Sequence, residues 1–182
     1  MPPRPTVLPT LAVLLTTAAL SACGSPKDVQ TSFAPRCPRA QILADAADLT
    51  RYRTATSHDL TDMVLDGRIT GVEGKCERGD DGQLNTTIRA GVTLTRGPAA
   101  QGRNATAPMF VAVVRNGEVL DKAIYRLDAA FPSNTDRLQL VSNDVQLTLP
   151  VGPKLSGPDY SVYVGFQLTP DELAANRKRG PR

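Results

Sequence analysis

A strict alternation of side-chain character over residues 84–95 is the feature that most restricts how this chain can fold. Polar or small residues stand at every second position, and between them lies a mainly apolar row formed by Leu84, Thr86, Ile88, Ala90, Val92 and Leu94. Successive side chains of a β-strand point to opposite faces of the sheet. A period of two therefore predicts a strand with one buried face and one solvated face.

Further strands are predicted on both sides of this segment. Met63–Ile69 alternates, but its apolar phase changes after Gly71, which predicts a β-bulge. Met109–Val114 is a continuous apolar run, typical of a central strand. The Asn-Gly pair at 116–117 predicts a tight hairpin turn into a partner strand over Glu118–Leu127.

The last third of the chain is predicted to contain more strands and a helix. Arg137–Val141 and Val145–Leu149 are two short strands or one bulged strand, because their apolar phases differ. Tyr160–Leu168 alternates again and predicts a final strand. Thr169–Glu172 has the residues of a capping box with proline in the first turn, so it predicts a short helix that ends at about Arg177.

About seven short strands with turn signals between them predict an all-β fold. Hairpin connections favour antiparallel pairing, and we expect an immunoglobulin- or fibronectin-like β-sandwich with a short C-terminal helix rather than a barrel. The chain has no Trp, so it lacks the Cys…Trp…Cys signature of true immunoglobulin domains. Gln41–Tyr52 is predicted to be a short helix, although a short strand followed by a loop fits it equally.

The first residues of the chain have the features of a secretory signal peptide. Arg4 is the only charged residue before Lys27, and Val7–Leu20 is apolar or small apart from one proline and three threonines. This run is shorter than the roughly 20 residues that a membrane-spanning helix needs. It ends in the sequence Leu-Ser-Ala-Cys at 20–23, which resembles the lipobox of bacterial lipoproteins.

The resemblance implies cleavage before Cys23, transfer of diacylglycerol to its thiol and acylation of the new amino group. An ordinary signal-peptidase site with a chance cysteine is the alternative. Arg4 is the only charged residue among residues 1–22, so their loss lowers the formal net charge from +3 to +2. A net charge this small does not indicate nucleic-acid binding. In diderm lipoproteins an Asp after the lipidated Cys commonly marks inner-membrane retention, so Gly24 implies the outer membrane, facing the periplasm.

Three segments are predicted after the signal peptide. Residues 23–36 form a lipidated tether, residues 37–176 form a single β-sandwich domain, and residues 177–182 form a basic tail. The segment from Cys37 to Cys76 and the closing LTPDELAANR are similar to uncharacterised lipoproteins of alphaproteobacteria, a family that implies no activity. A possible contact with an anionic surface is assigned to the basic residues Arg177, Lys178, Arg179 and Arg182.

The cysteines fit an oxidising compartment. If Cys23 carries lipid, Cys37 and Cys76 remain as a pair, and a structural disulfide between them is the expected state. Two free buried thiols or a redox-active pair are the alternatives, but redox-active cysteines usually form a C-x-x-C motif, which this chain lacks.

No catalytic residue, metal site or cofactor is predicted. His58 is the only histidine, and its neighbours Ser57 and Asp59 cannot converge on it as a catalytic triad, because consecutive side chains diverge along the backbone. The carboxylates at 80 and 81 fit a turn better than a calcium loop. We therefore interpret His58 as a solvated residue that precedes a strand.

The expected function is non-enzymatic. The chain would act as a lipid-anchored binding or assembly module, with the membrane and an envelope protein as its partners and no nucleic acid. A periplasmic enzyme or inhibitor, with a site assembled only in three dimensions, is the alternative. Clustered carboxylates with perturbed pKa values in a concave pocket would favour that alternative. An exposed apolar patch or an unpaired edge strand would favour the binding module.

Lipidation makes a direct prediction. Cys23→Ala should move the protein from the membrane fraction to the soluble periplasm, because it removes the thiol that carries the lipid. Fractionation followed by immunoblotting measures this. Membrane association that is unchanged in Cys23→Ala would contradict the lipoprotein interpretation.

Overall fold

The computed structural model describes residues 34–54 and 57–180 of the chain. This part of the protein is mainly β, as the alternating patterns predict, and it ends in one short α-helix. Its elements in chain order are β1 (Arg39–Ile42), β2 (Asp48–Tyr52), β3 (Met63–Arg78), β4 (Gln83–Arg96), β5 (Asn104–Arg115), β6 (Glu118–Ala130), β7 (Arg137–Val141), β8 (Val145–Pro150), β9 (Ser161–Phe166) and α1 (Pro170–Arg179).

The strands form two sheets. The four-stranded sheet has the order β1-β9-β5-β6, and all its pairs are antiparallel except β1 with β9. The five-stranded sheet has the order β2-β3-β4, with β7 and β8 end to end along the other edge of β4. Ser142 lies between β7 and β8, where its amide donates to the carbonyl of Ala90 and its hydroxyl accepts from the Ala90 amide. The segment over 137–150 is therefore two short strands rather than one bulged strand.

The two sheets share one hydrophobic core. Leu94 of β4 and Val164 of β9 are fully buried on the facing inner surfaces. Phe166 packs against the backbone of β3 at Gly67, where a Cβ atom would lie 3.1 Å from the ring and 2.9 Å from Leu94. Such contacts interdigitate the two layers. The immunoglobulin- or fibronectin-like strand order stays a prediction.

Two local predictions are confirmed. The register of β3 against β4 shifts between Ile69 and Gly71, where the bulge was expected. Asn116 and Gly117 both have positive φ, at 51° and 81°, as the primed hairpin turn between β5 and β6 requires.

The helix predicted over Gln41–Tyr52 is wrong. β1 and β2 occupy this segment, joined by a single 3-10 turn over Ala44–Ala46. The helical spacing of apolar residues has another cause, because Ile42 belongs to a strand of one sheet and Leu49 to a strand of the other. The chain crosses between sheets here, and this crossing adds two strands to the expected seven.

The disulfide between Cys37 and Cys76 is confirmed. The bond joins Cys37, which precedes β1, to Cys76, which lies near the C-terminal end of β3. Their Cα atoms are 5.6 Å apart. The carbonyl of Arg36 lies against Gly157, at a place that a Cβ atom would occupy.

The C-terminal helix begins as predicted but ends later. Thr169 and Glu172 form the expected capping box. The helix continues to Arg179, so the predicted domain boundary at residue 176 falls inside it. Asn176 is buried and donates to the carbonyl oxygens of Asp45 and Asp48.

An ion pair near the end of α1 predicts that two adjacent basic residues contribute differently to stability. Arg179 and Lys178 are both exposed, but the guanidinium of Arg179 lies 3.5 Å from the carboxylate of Asp48, whose side chain is only 5% exposed. Arg179→Ala should therefore lower the free energy of unfolding by about 1–2 kcal/mol, since it takes a partner from a desolvated carboxylate. Lys178→Ala, which removes the same charge from the same helix turn, should change it little. Urea unfolding of both variants measures this, and equal losses would contradict a stabilising pair between Arg179 and Asp48.

Candidate functional site

β6 is the long exposed edge of the structure. The other strands at sheet edges, β1, β2, β7 and β8, have four to six residues, whereas β6 has thirteen. Natural proteins usually keep edge strands short or covered, because the unpaired backbone groups of a long edge can pair with another chain. A thirteen-residue edge is therefore a candidate interaction site.

The hydrogen-bonding direction of β6 follows from its neighbours. The amide of Gln167 donates to the carbonyl of Pro108, so even-numbered residues of β5 point their backbone groups toward β9. Odd-numbered residues of β5 consequently point toward β6, and in register they face odd-numbered residues such as Ala123 and Tyr125. The amides and carbonyls of even-numbered residues from Lys122 to Asp128 therefore point outward from the edge of the sheet.

The same even-numbered residues also form the outer row of side chains on β6, which is Lys122, Ile124, Arg126 and Asp128. Ile124 is 58% exposed in the middle of this row. The ammonium of Lys122 lies 4.5 Å from the centre of the Phe110 ring, within the range of a cation–π contact. Near the hairpin, Val119 and Leu120 are also exposed, where a register shift adds a residue to β6.

Asp128 keeps its charge through a local hydrogen bond. The hydroxyl of Thr106 donates to its carboxylate over 2.6 Å, and this bond is the main reason that the pKa of Asp128 is lowered. The positive charge of Arg126 lowers this pKa further. The outer row of β6 thus presents two cations and one anion at neutral pH.

A second candidate is a cavity of about 480 Å³ at the end of the sandwich away from the disulfide. Leu65 in its lining and Cys76 lie on the same strand, so the two are roughly 35 Å apart at about 3.3 Å per residue. Its wall is partly apolar, with Leu65 and Phe131, and it also includes three arginines, Arg51, Arg53 and Arg96.

The arginines of this cavity already have protein partners. Arg51 pairs with Glu172 at 3.2 Å, and Arg53 pairs with Asp62. Arg96 donates to the carbonyl oxygens of Gly102 and Ala100, at 2.6 and 2.9 Å. These contacts hold loops in place and balance the positive charge, so the cavity offers an anionic ligand less than its three guanidinium groups suggest.

The site residues predicted from the sequence that the structure describes lie on neither β6 nor the wall of the cavity. Arg177 and Arg179 lie on α1 and pair with Asp45 and Asp48, so their expected contact with an anionic surface would have to compete with these bonds. Lys178 is exposed between them. The predicted lipidation at Cys23 and the candidate residue Arg182 lie outside the described residues.

The titratable side chains are dispersed over the domain. His58 is exposed and contacts Tyr52 edge to face at 5.9 Å. Within residues 34–54 and 57–180, no cluster of three or more His, Cys, Asp or Glu side chains could hold a metal ion. The carboxyl groups with a shifted pKa all have it lowered, by hydrogen bonds from turn residues, hydroxyls or arginine; they are Asp59, Asp62, Asp128, Asp144 and Asp159.

Comparison with protein-family models, curated proteins and solved structures finds no match to this chain. Its function must therefore be argued from the site itself. Among the helices of the described part, none is both long and apolar enough to cross a membrane.

The sequence patterns did not predict that β6 would be an exposed edge. Glu118–Leu127 was predicted only as the hairpin partner of Met109–Val114. The signal that could have identified an edge is the mixture of Lys, Arg and Asp on one face of this segment, because charged side chains are typical of edge strands. Which strand ends a sheet depends on long-range pairing, which alternation does not encode.

The bond between Thr106 and Asp128 predicts a pH-dependent effect. Because it lowers the pKa of Asp128, it stabilises the fold above the ordinary pKa of about 4 and is lost as pH falls through the lowered value. Thr106→Val should raise this pKa toward normal, and its loss of stability should be present at pH 7 and shrink as the pH falls below the ordinary carboxyl pKa of about 4. Carboxyl titration by NMR and urea unfolding measure both effects. Thr87→Val is the control, because Thr87 donates to the uncharged Gln146 and its effect should not vary with pH.

Proposed function

We propose that this protein is a lipid-anchored, non-enzymatic binding or assembly module of the cell envelope, and that β6 binds a strand of a partner protein. The observation that carries the proposal is the thirteen-residue edge of β6, with outward backbone groups and the exposed side chain of Ile124. In strand addition, main-chain hydrogen bonds supply affinity and alternate side chains supply specificity.

The location in the envelope is supported by separate features. The lipobox-like sequence at 20–23 supports lipidation at Cys23, and Gly24 after it supports an outer-membrane anchor. The Cys37–Cys76 disulfide is typical of oxidising compartments such as the periplasm. The immunoglobulin- or fibronectin-like character of the sandwich is part of the same proposal, and two sheets packed on one core are consistent with it.

A periplasmic enzyme or inhibitor is the competing proposal, and it would use the arginine-containing cavity. The two proposals place the interaction on different parts of the domain. Strand addition predicts that partner binding is lost when a backbone hydrogen bond of β6 is removed, whereas binding in the cavity should be unaffected.

The test removes one outward amide from the edge. Ile124→Pro should reduce capture of envelope partners about tenfold or more, because proline has no N–H to donate. Ile124→Val keeps the amide and a β-branched apolar side chain, so it should retain capture. Crosslinking in native membranes followed by affinity purification and mass spectrometry measures this.

The outcome separates the two sites. Partner capture that persists in Ile124→Pro but is lost in Arg51→Gln would contradict strand addition and favour the cavity. Thermal unfolding of each variant controls for loss of the fold.

A further inference from the structure

We infer that the strand that β6 binds is β6 of a second copy of this chain, antiparallel and with Tyr125 on the two-fold axis. This inference rests on the proposed use of β6 as a binding edge. It names the partner and the register. Both can be wrong even if β6 binds a strand of another protein.

Symmetry limits the registers that two β6 strands can adopt. A two-fold axis perpendicular to the sheet leaves each side chain on its own face, and residues directly opposite each other in an antiparallel pair share a face. Each even-numbered residue must therefore face an even-numbered residue of the second copy. These are the residues whose amides and carbonyls point outward, so each facing pair from Lys122 to Asp128 can exchange hydrogen bonds.

Charge and the length of the pairing together favour one of these registers. With Tyr125 on the axis, Lys122 of each copy faces Asp128 of the other, and Ile124 faces the aliphatic part of Arg126. Both ionic contacts form at once by symmetry. They add to the contacts of Lys122 with Phe110 and of Asp128 with Thr106 within each copy, because an ammonium has three donors and a carboxylate can accept several hydrogen bonds. Oppositely charged residues directly across a strand pair are favourable, whereas like charges there are unfavourable.

The neighbouring registers lack this match. An axis on Ile124 places Lys122 opposite Arg126, and an axis on Arg126 places two guanidinium groups opposite each other. An axis on Ala123 places Glu118 opposite Asp128. An axis on Leu127 also pairs opposite charges, Arg126 with Asp128, but it joins only residues 124–130 of the strand, whereas the axis on Tyr125 joins residues 120–130. Charge therefore disfavours the registers on Ala123, Ile124 and Arg126, and the longer pairing favours the register on Tyr125 over that on Leu127.

Other properties of the edge agree with this register. The exposed side chain of Ile124 would be partly covered by Arg126 of the second copy at the centre of the pairing. The two half-buried Tyr125 rings would meet across the axis on the inner face, as aromatic pairs do in antiparallel sheets. The four-stranded sheet would become continuous through both copies.

The experiment uses charge reversal and mixing on the full chain, purified in detergent. Lys122→Asp alone places two carboxylates opposite each other twice, and Asp128→Lys alone places two ammonium groups opposite each other twice. An equimolar mixture of the two variants restores an opposite-charge pair at both positions. The readout is the dimer fraction by sedimentation velocity, with the variants carrying different fluorophores.

The expected result is a concentration-dependent dimer for the natural sequence. Each reversed variant alone should dimerise about tenfold more weakly, and their mixture should recover the dimer as a mixed species. Lys154→Asp and Asp171→Lys are the controls, since these exposed residues lie off β6 and should leave the dimer unchanged. Circular dichroism melts confirm that each variant is folded.

Two results would overturn the inference. One is a natural chain that stays monomeric at concentrations up to about 100 µM, and the other is a mixture that fails to recover the dimer. If Ile124→Pro still abolishes capture of another envelope protein in either case, the proposed function stands and only the identity of the partner strand is wrong. If that capture also persists in Ile124→Pro, both proposals fail.

Discussion

The buried inner row of β4 is the contact on which both sheets depend. Its side chains from Leu84 to Leu94 lie in the core between the sheets, while its backbone pairs with β3 on one edge and with β7 and β8 on the other. Burial of each large apolar side chain is worth roughly 1.5–3 kcal/mol before entropy is counted. β4 thus joins the packing between sheets to the hydrogen bonding within the larger one, and a charged residue in this row would weaken both.

The position of β4 at the centre leaves other strands to form the edges, and these are protected in different ways. β2 lies under α1, where the buried amide of Asn176 binds the carbonyl oxygens of Asp45 and Asp48. β7 and β8 are short and are separated at Ser142. β6 is long and has no such cover among the described residues, so only its side chains can restrict what pairs with it.

Local sequence patterns predicted most of the strands. The order of the strands, the edges of the sheets and the contacts of Arg179 depend on long-range pairing. The alternation around Ile88, the phase change at Gly71 and the Asn116–Gly117 turn each depend on nearby residues, and each was read correctly. Gln41–Tyr52 failed because its strands are stabilised by partners far along the chain, which override helical spacing. Arg179 was assigned to a basic tail for the same reason, since its partner Asp48 is distant in sequence. The edge at β6 likewise follows from which strands end the sheet.

Charge on an edge strand has opposite consequences for different partners. A strand that pairs out of register would leave Lys122 or Asp128 opposite a like charge or an apolar side chain, which opposes unspecific association. A strand with the complementary order of charges gains favourable contacts at the same positions. Because Thr106 lowers the pKa of Asp128, the order of charges persists from neutral into moderately acidic conditions. The residues that keep a long edge from aggregating are therefore also the residues that make it selective.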